Sequence, residues 1–461
     1  MERLGSLDAV FLAIENEASP MNIGSVAVFD GPAPSFDAVQ AFVAAKLPQV
    51  PRCRQRVRES ARNVLRPVWI DDVRFDLADH LHHVALPAGN QRALEEFVEQ
   101  VMVEPLDRGR ALWEMWVVES IGDGRWAVVS KMHHCVVDGI AGTDLLAVML
   151  DHAPDVEHPP ADAWRPTPEP SGLEVARFGF AMVLKSLRVH ARHLVEMLGH
   201  PTRTWRRLRD IAAGARGLWL QPSRPDSPLT GPIGPRRRWA HTQMSLEDVA
   251  TIRHALGGTV NDVVLAATAQ GLRELLRTRG VMLEGRDVMA LVPVSIRAPS
   301  ERGLFDNRVA VTHALLPVGI DDPAATLAAI RAHLDDLKVS HQTDASTVLL
   351  HTGDLTPHAV ASVVARAVVR AQQNLETIVT NVPGPRRPMY LCGRRMLEAY
   401  PFAPIAGRIR VVVAIWSYCG TLFFGVTGDR EGASDLDALV AGIDLGFRRL
   451  LVAAVDRARA G

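Results

Sequence analysis

A predicted hairpin of two apolar strands that ends in a pair of histidines constrains the fold most strongly. Residues 112–120 and 125–132 have the composition of strands, and the turn at residues 122–124 (Gly-Asp-Gly) joins them. His133 and His134 follow the second strand directly, within the motif HHCVVDG at residues 133–139. Because neighbouring side chains of a strand point to opposite faces, we expect the two imidazoles to have different surroundings and different roles.

His134 is the candidate catalytic base. An unperturbed imidazole has a pKa of about 6.5, so it can accept a proton from a hydroxyl near neutral pH, as acyl transfer to an alcohol or amine requires. Asp138 is expected to hold the loop after the strand, and Gly139 permits a sharp backbone turn there. His133 is expected to pack beside the base or to form a hydrogen bond.

Other uses of the histidine pair are a metal site, a partner for a cysteine nucleophile and a purely structural role. Zinc sites need three or four ligands at recognisable spacing, and the sequence shows no HExxH, no CxxC and no clear third ligand. Cys135 could act as a nucleophile, although it is expected to point away from the face that His134 uses. No P-loop, GxSxG or GxGxxG motif occurs. We therefore expect neither a metal nor a bound cofactor.

Length and composition favour a globular protein of two domains. The chain has 461 residues, of which 48% are hydrophobic, and its formal net charge is −1. A nucleic-acid-binding protein would usually be markedly basic, so that class is not expected. The four scattered cysteines fit free thiols in a reducing cytoplasm. The first residues lack the apolar core of a signal peptide and no run of eighteen apolar residues occurs, so we expect no transmembrane helix.

Helix and strand patterns alternate on both sides of a proline-rich connection. This predicts an α+β protein with an N-terminal lobe at residues 1–153, a linker at 154–238 and a C-terminal lobe at 239–461. Within the linker, residues 172–220 contain nine Lys or Arg and three acidic residues, with bulky apolar residues between them. Such a basic amphipathic helix can lie in a membrane interface. The alternative is a connecting helix that packs on the lobes and keeps its basic face in water.

Periodicity also predicts individual elements. Helices are expected at residues 36–47, 91–103, 143–150, 245–256, 259–277, 323–339, 357–374 and 434–459, and strands at residues 68–70, 84–86, 287–296, 307–317 and 377–382, with a hairpin at 408–427. Thr259 or Asn261 could cap the helix that starts at residue 259.

Taken together, these motifs resemble the bacterial wax ester synthase/diacylglycerol acyltransferase family. The matching stretches occur in family order over nearly the whole chain: LDAVFL at 7–12, SPMNIG at 19–24, PLDR at 105–108, LWE at 112–114, HHCVVDG at 133–139, NDVVLA at 261–266, PVSIR at 293–297, NRV at 307–309 and TNVPGP at 380–385. HHxxxDG alone is shared with condensation domains and chloramphenicol acetyltransferase-like enzymes, so the whole set carries the resemblance. Three positions depart from the family pattern: Asn22 replaces a common histidine, Asp306 a glycine and Ala111 a proline.

The resemblance implies two chloramphenicol acetyltransferase-like lobes with an active-site tunnel between them. It also implies transfer of a long-chain fatty acyl group from acyl-CoA to diacylglycerol, as in triacylglycerol biosynthesis, or to a long-chain alcohol, which gives a wax ester. His134 would be the general base, and Asn261 would stabilise the oxyanion unless it is a helix cap. Arg297 would pair with Asp138 unless it is a surface arginine. Since both substrates are amphiphilic, we expect a cytoplasmic enzyme that associates peripherally with a membrane or lipid-droplet surface.

Other functions stay open at this point. An acyltransferase for another acceptor, such as a polyketide, a glycolipid or an amine, would carry the same motif. A non-catalytic protein that binds lipid surfaces would keep the fold without turnover. A condensation domain that receives acyl groups from carrier proteins is less expected, because the sequence contains no carrier domain.

Overall fold

The structure, a computed structural model, describes most of both predicted lobes. The described residues are 1–60, 65–87, 89–136, 148–158, 164–199, 227–295, 309–339, 358, 362–363, 365–366, 369 and 374–460. Asp138, Gly139 and Arg297 lie outside these ranges, as do residues 200–226 of the linker and most of the predicted helices at 143–150 and 357–374.

Helices and strands alternate through the described ranges. The helices are α1 (Ser6–Ile14), α2 (Phe36–Lys46), α3 (Gln91–Val101), α4 (Gly172–Gly199), α5 (Leu246–Leu256), α6 (Val260–Thr278), α7 (Pro323–Val339) and α8 (Leu436–Ala460). The strands are β1 (Glu2–Arg3), β2 (Asn22–Phe29), β3 (Gln55–Arg58), β4 (Val68–Asp71), β5 (Leu81–Val84), β6 (Trp113–Gly122), β7 (Arg125–His133), β8 (Arg237–Ser245), β9 (Val288–Ser295), β10 (Val309–Leu316), β11 (Thr377–Val382), β12 (Tyr390–Leu391), β13 (Arg394–Phe402), β14 (Val411–Tyr418) and β15 (Thr421–Asp429).

Each lobe is built on a six-stranded sheet. The N-terminal sheet has the order β12-β13-β2-β7-β6-β5, in which β5 runs parallel to β6 and the other pairs are antiparallel. The C-terminal sheet has the order β10-β9-β11-β14-β15-β8, in which β11 is parallel to both of its neighbours. Helices α6 and α8 pack closely on each other, and α6 is buried along most of its length in the core of this lobe. The predicted α+β fold of two lobes is thus confirmed.

The predicted hairpin before the histidines is present with the expected turn. Strands β6 and β7 are antiparallel and joined by Asp123 and Gly124, both at positive φ (53° and 64°). Two residues with positive φ form the tight turn whose twist suits a hairpin. Because Trp126, Val129 and their neighbours on β7 are almost fully buried, the hairpin brings the histidine pair to the end of a fixed central strand.

A segment of the C-terminal half of the chain belongs to the sheet of the N-terminal lobe. Strands β12 and β13 lie inside the range predicted for the C-terminal lobe, yet they complete the N-terminal sheet beside β2. The hydrophobic core of the N-terminal lobe accordingly includes Tyr400 from β13 and Trp239 from β8. The exchange gives the two lobes a shared apolar core, which limits how far one lobe can move without the other.

A buried carboxylate also ties helix α3 to the C-terminal sheet. Glu99 is 5% exposed, and its Oε1 accepts hydrogen bonds from Arg238 Nη1 at 2.8 Å and from the backbone N–H of Trp239 at 3.0 Å. Its Oε2 accepts a longer bond from Arg430 Nη1 at 3.3 Å. Since a buried charge is stable only when it is paired and hydrogen-bonded, these contacts fix the distance between α3 and β8.

We expect Glu99→Ala to lower the free energy of unfolding by about 3 kcal/mol, because it removes the nearest carboxylate of Arg238 and leaves the buried Trp239 N–H without its acceptor. The measurement is urea-induced unfolding at pH 7. The control is Glu96→Ala on the same helix, since Glu96 is 60% exposed and pairs with the exposed Arg92. That control should cost less than about 1 kcal/mol. Equal, small losses for both variants would contradict the role of Glu99.

Candidate active site

The end of β7 places the two histidines in different environments. His133 lies opposite Asn22 of β2 in the sheet register and is 1% exposed. His134 is half-buried, and its backbone N–H donates a 2.8 Å hydrogen bond to the carbonyl of Met21. The structure therefore agrees with the expectation that the two imidazoles differ, with His133 inside the protein and His134 partly accessible.

Helix α1 covers the His134 ring from one side. The ring of Phe11 stacks on the imidazole with 3.8 Å between centroids and 19° between planes. A stacked aromatic ring restricts rotation of the imidazole about its side-chain torsions, and it adds to the stability gained by burial. Phe11 thus restricts the plane in which the His134 ring lies.

His133 is held by a carboxylate at the end of the same helix. Its Nδ1 accepts a hydrogen bond from the backbone N–H of Cys135 at 3.0 Å, so the proton of the neutral ring is on Nε2. Nε2 lies 3.4 Å from Oε1 of Glu15, the residue that ends α1. His133 therefore serves as a structural link between helix α1 and the turn after β7.

Glu15 is the centre of a larger hydrogen-bonded group. Its Oε1 accepts from the backbone N–H of Met21 at 3.1 Å, and its Oε2 accepts from Arg108 Nη2 at 2.7 Å. Arg108 also donates to the carbonyl of Leu12 on α1 at 2.9 Å. The carbonyl of Met21 accepts a hydrogen bond from the His134 backbone N–H. The chain of hydrogen bonds therefore runs from Arg108 through Glu15 and Met21 to the candidate base.

The surroundings of Glu15 keep it ionised. Burial by itself raises the pKa of this carboxyl, but hydrogen bonding with His133, Arg108 and the backbone of Met21 outweighs it and lowers the pKa to about 2. Glu15 is therefore a carboxylate at any pH at which the protein is expected to work, and its negative charge beside His133 is permanent.

Cys135 is placed as a core residue. It is 2% exposed, and burial raises the pKa of its thiol well above the usual value. A nucleophilic cysteine needs a thiolate, which these surroundings disfavour. The structure thus argues against the cysteine alternative.

Strand β2 supports the histidines from the neighbouring position in the sheet. The Asn22 side chain is fully buried, and its Nδ2 donates to the carbonyls of Met102 at 3.0 Å and Glu104 at 2.9 Å. At Gly24, a Cβ would lie 2.0 Å from the carbonyl oxygen of Ser130 on β7, so only glycine permits this approach of the two strands. The SPMNIG stretch thus has a packing role directly beside the site.

Asn261 lies in the first turn of α6, in the C-terminal lobe. Thr259 is the N-cap of this helix, since its hydroxyl accepts from the Asp262 N–H and the Asp262 carboxylate accepts from the Thr259 N–H at 2.7 Å. The capping alternative for Asn261 is therefore wrong, and its half-buried side chain is not used for that purpose. No hydrogen bond or ring contact between described residues joins Asn261 to either histidine.

Asp138, Gly139 and Arg297 lie outside the described residues, so the pairing of Asp138 with Arg297 stays a prediction. In the part of the chain that the structure describes, no group of three His, Cys, Asp or Glu residues is arranged to hold a metal ion.

Sequence reasoning missed Phe11, Glu15 and Arg108 as parts of the site. Phe11 and Arg108 belong to stretches that carried the family resemblance, LDAVFL and PLDR, but the motifs gave no role to either residue. The one available signal for Glu15 was its position four residues after Phe11, because side chains at this spacing lie on the same face of a helix.

Comparison with known proteins gives matches over the whole length. The family model described as the wax ester synthase/diacylglycerol acyltransferase catalytic domain matches residues 4–264, and that of the C-terminal domain of the same family matches residues 305–450. A Mycobacterium tuberculosis (H37Rv) protein named "Probable diacyglycerol O-acyltransferase tgs1" is 35% identical over 98% of this chain and 96% of its own.

Solved structures agree with these matches. The wax ester synthase/diacylglycerol acyltransferase from Marinobacter aquaeolei VT8 superposes with a TM-score of 0.70 at 26% identity, over 98% of this chain and 100% of its own. The first condensation domain of the calcium-dependent antibiotic synthetase superposes with a TM-score of 0.61 at 16% identity, over 97% of this chain and 96% of its own. The latter similarity concerns the fold alone.

We expect Glu15→Gln to lower the free energy of unfolding at pH 7 by about 2 kcal/mol, because it weakens charged hydrogen bonds to His133 and Arg108. The pKa of Glu15 is about 2 in the folded protein, against a usual 4.5. Its charge therefore stabilises the fold fully above pH 4.5, and this contribution is lost as the pH falls towards 2. The difference between variant and wild type should shrink accordingly in urea unfolding below pH 4.5.

The matched control is Glu17→Gln, since Glu17 is exposed and two residues away. It should leave stability unchanged over the same pH range. A Glu15→Gln difference that is absent at pH 7, or that grows as the pH falls, would contradict the assigned role of Glu15.

Proposed function

Because this chain belongs to the wax ester synthase/diacylglycerol acyltransferase family, we propose that it moves a long-chain fatty acyl group from coenzyme A to the hydroxyl of diacylglycerol, with long-chain alcohols as further acceptors. The family is one of acyltransferases, which need an acyl donor and a diacylglycerol or alcohol acceptor. The observation that carries the proposal is the half-buried imidazole of His134, held by Phe11 at the end of a rigid strand.

In the proposed reaction His134 acts as a general base. A lipid hydroxyl is too weak an acid to ionise freely, so its proton moves to the imidazole as its oxygen attacks the thioester carbonyl. The carbon–sulfur bond of the tetrahedral intermediate then breaks, and the imidazolium returns the proton to the departing thiolate. The proposed route has no acyl-enzyme and uses no metal or cofactor, since acyl-CoA is a co-substrate.

The group around Glu15 supports this role by positioning. The Met21 backbone receives the His134 N–H and donates its own N–H to Glu15, so α1 and the base move as one unit. Proton transfer needs the ring within hydrogen-bond reach of the hydroxyl, and small displacements are costly in rate. Glu15 and His133 are thus positioning residues rather than groups that touch substrate.

The oxyanion of the intermediate requires hydrogen-bond donors. Asn261 is the proposed donor, and its favourable feature is that Thr259 and Asp262 already cap the helix on which it lies. Asp138 and Arg297 are proposed to pair and to hold the loop that follows His134, with Gly139 allowing its turn.

The proposed substrates also suggest where the protein works. Each buried methylene contributes about 0.8 kcal/mol, so long-chain substrates stay in lipid phases rather than in water. We therefore propose peripheral contact with a membrane or lipid-droplet surface. None of the described helices is both long and apolar enough to cross a bilayer.

His134→Ala should lower turnover of palmitoyl-CoA with diacylglycerol by about 100-fold or more, because general-base catalysis contributes about that much. Release of free thiol measures the rate. Two controls separate the mechanism from general damage: His152→Ala, at an exposed position, and Cys135→Ala, at the buried thiol. Both should keep turnover within about tenfold of wild type. Near-normal turnover of the His134 variant would refute the general base, and loss in the Cys135 variant with retained folding would favour a thiol nucleophile.

The acceptor class is tested with purified protein, labelled palmitoyl-CoA and a panel of diacylglycerol, hexadecanol, a small alcohol and an amine. Products are resolved by thin-layer chromatography. We expect triacylglycerol from diacylglycerol and wax ester from hexadecanol, since the transfer needs a hydroxyl on an apolar acceptor. If only the amine gives a product, the proposed acceptor class is wrong. If no acceptor gives thiol release, the proposed function is contradicted.

A further inference from the structure

We infer that one face of helix α4 docks this protein on an anionic lipid surface. The helix begins at Gly172, directly after the irregular segment that leaves the N-terminal lobe. It carries four of the large apolar side chains that the structure exposes to water: Leu173, Phe180, Leu184 and Leu187. Single exposed apolar residues are ordinary on a protein surface, but a row of them on one helix is a feature of interaction surfaces.

The first half of α4 is fixed to the protein by its opposite side. Val175 is 4% exposed and packs with Phe178 against Val68 and Ile70 of β4. At Gly179, a Cβ would lie 2.8 Å from a methyl group of Leu65, so the helix backbone approaches the protein closely there. This side of the helix therefore packs on the N-terminal lobe, and the helix cannot turn its outer row inward without breaking these contacts.

The four outer side chains form a continuous stripe. Their exposed fractions are 65% at Leu173, 68% at Phe180, 44% at Leu184 and 51% at Leu187. Successive residues of an α-helix are rotated by about 100°, which places these four within an arc of about 60° on the side away from Val175 and Phe178. We call this row the outer stripe. The residues of the outer stripe have the sequence spacing of an apolar helix face that is buried against a partner.

Charge identifies the partner. Arg177, Lys185 and Arg188 are exposed and flank the outer stripe on one side, which also carries one carboxylate, that of Glu174, whose Oε2 accepts hydrogen bonds from Ser171. An apolar stripe bordered by cations is the arrangement with which a helix lies in a bilayer interface, its apolar side chains among the acyl chains and its cations at anionic headgroups. An anionic lipid surface fits both halves of this pattern, whereas a purely apolar partner would leave the cations unused.

The inference rests on the proposed function in one respect: docking on lipid serves catalysis only if the acceptor is itself a lipid. Such docking would hold the protein at the phase that contains its proposed acceptor. Binding can be measured without substrate, so the two proposals fail independently.

The experiment is cosedimentation of the full-length protein with vesicles of phosphatidylcholine, alone or mixed with an equal amount of phosphatidylglycerol. Wild type should bind the mixed vesicles and bind pure phosphatidylcholine much more weakly, and added salt should reduce binding. Phe180→Ser/Leu184→Ser should weaken binding at least about tenfold, because it removes the apolar anchors. Arg177→Glu/Lys185→Glu should also weaken it at least about tenfold, since each cation near an anionic surface contributes about fivefold in affinity.

Matched controls use equally exposed side chains on other elements. Met282→Ser/Val452→Ser removes two apolar side chains that are 82% and 60% exposed, and Arg457→Glu/Arg459→Glu reverses two exposed charges at the end of α8. Both controls should bind vesicles like wild type. Thiol release from a short-chain acyl-CoA to a water-soluble alcohol, without vesicles, should be unchanged in all four variants, and its absence in wild type would count against the proposed function alone.

Three results would overturn the inference. One is wild type that binds neither kind of vesicle, and another is an outer-stripe variant that binds as wild type does. The third is a wild-type dimer, seen by analytical ultracentrifugation, that becomes a monomer in Phe180→Ser/Leu184→Ser, because the outer stripe would then be an interface between two copies of this chain.

Discussion

The geometry of the site depends on the contacts of one carboxylate, that of Glu15. It lies at the end of a short helix that has no side-chain cap at its start, yet this helix must place Phe11 against His134. One oxygen binds the Met21 N–H and faces His133, and the other binds Arg108. A single ionised group thus joins helix α1, strand β7 and the loop before β6. The neutral form could not accept all these bonds with equal strength, which explains why its pKa is low despite burial.

The strand exchange extends this constraint to the whole molecule. Strand β13 comes from the C-terminal half and pairs with β2, the strand that lies directly beside β7. The histidines consequently depend on chain segments more than 250 residues apart in sequence, as the pairing of Phe402 with Gly24 illustrates. Glu99 adds a charged contact between the lobes at α3. The pairing of β13 with β2, the shared apolar core and the Glu99 contacts thus join the two lobes.

Local features of the fold were predictable because they rest on local signals. The hairpin of β6 and β7 follows from two strand-like runs around a glycine turn, and helix α7 and strand β11 have the predicted bounds. Strand β13 was not predicted, since its partner lies far away in the sequence and its own residues, from Arg394 to Phe402, alternate only weakly. The bounds of β5 were also wrong: it covers residues 81–84 rather than 84–86.

For the site, the sequence predicted that the two histidines have different surroundings, but it did not predict the group that holds them. Glu15, Arg108 and His133 are distant in sequence, and no spacing rule connects a helix end to a loop 93 residues later. The family resemblance rests on short motifs, and these do not say what each side chain contacts. The cap of α6 shows the converse, because two residues were candidates and only the geometry distinguished Thr259 from Asn261.

A double-mutant cycle tests the central claim that Glu15 acts through His134. Thiol release from palmitoyl-CoA is measured for wild type, Glu15→Gln, His134→Ala and the double variant, each at saturating acceptor. If the carboxylate only positions the base, Glu15→Gln should slow wild type by about tenfold or more and should have almost no further effect when His134 is absent. Losses that multiply in the double variant would show that the two residues act independently and would contradict this account.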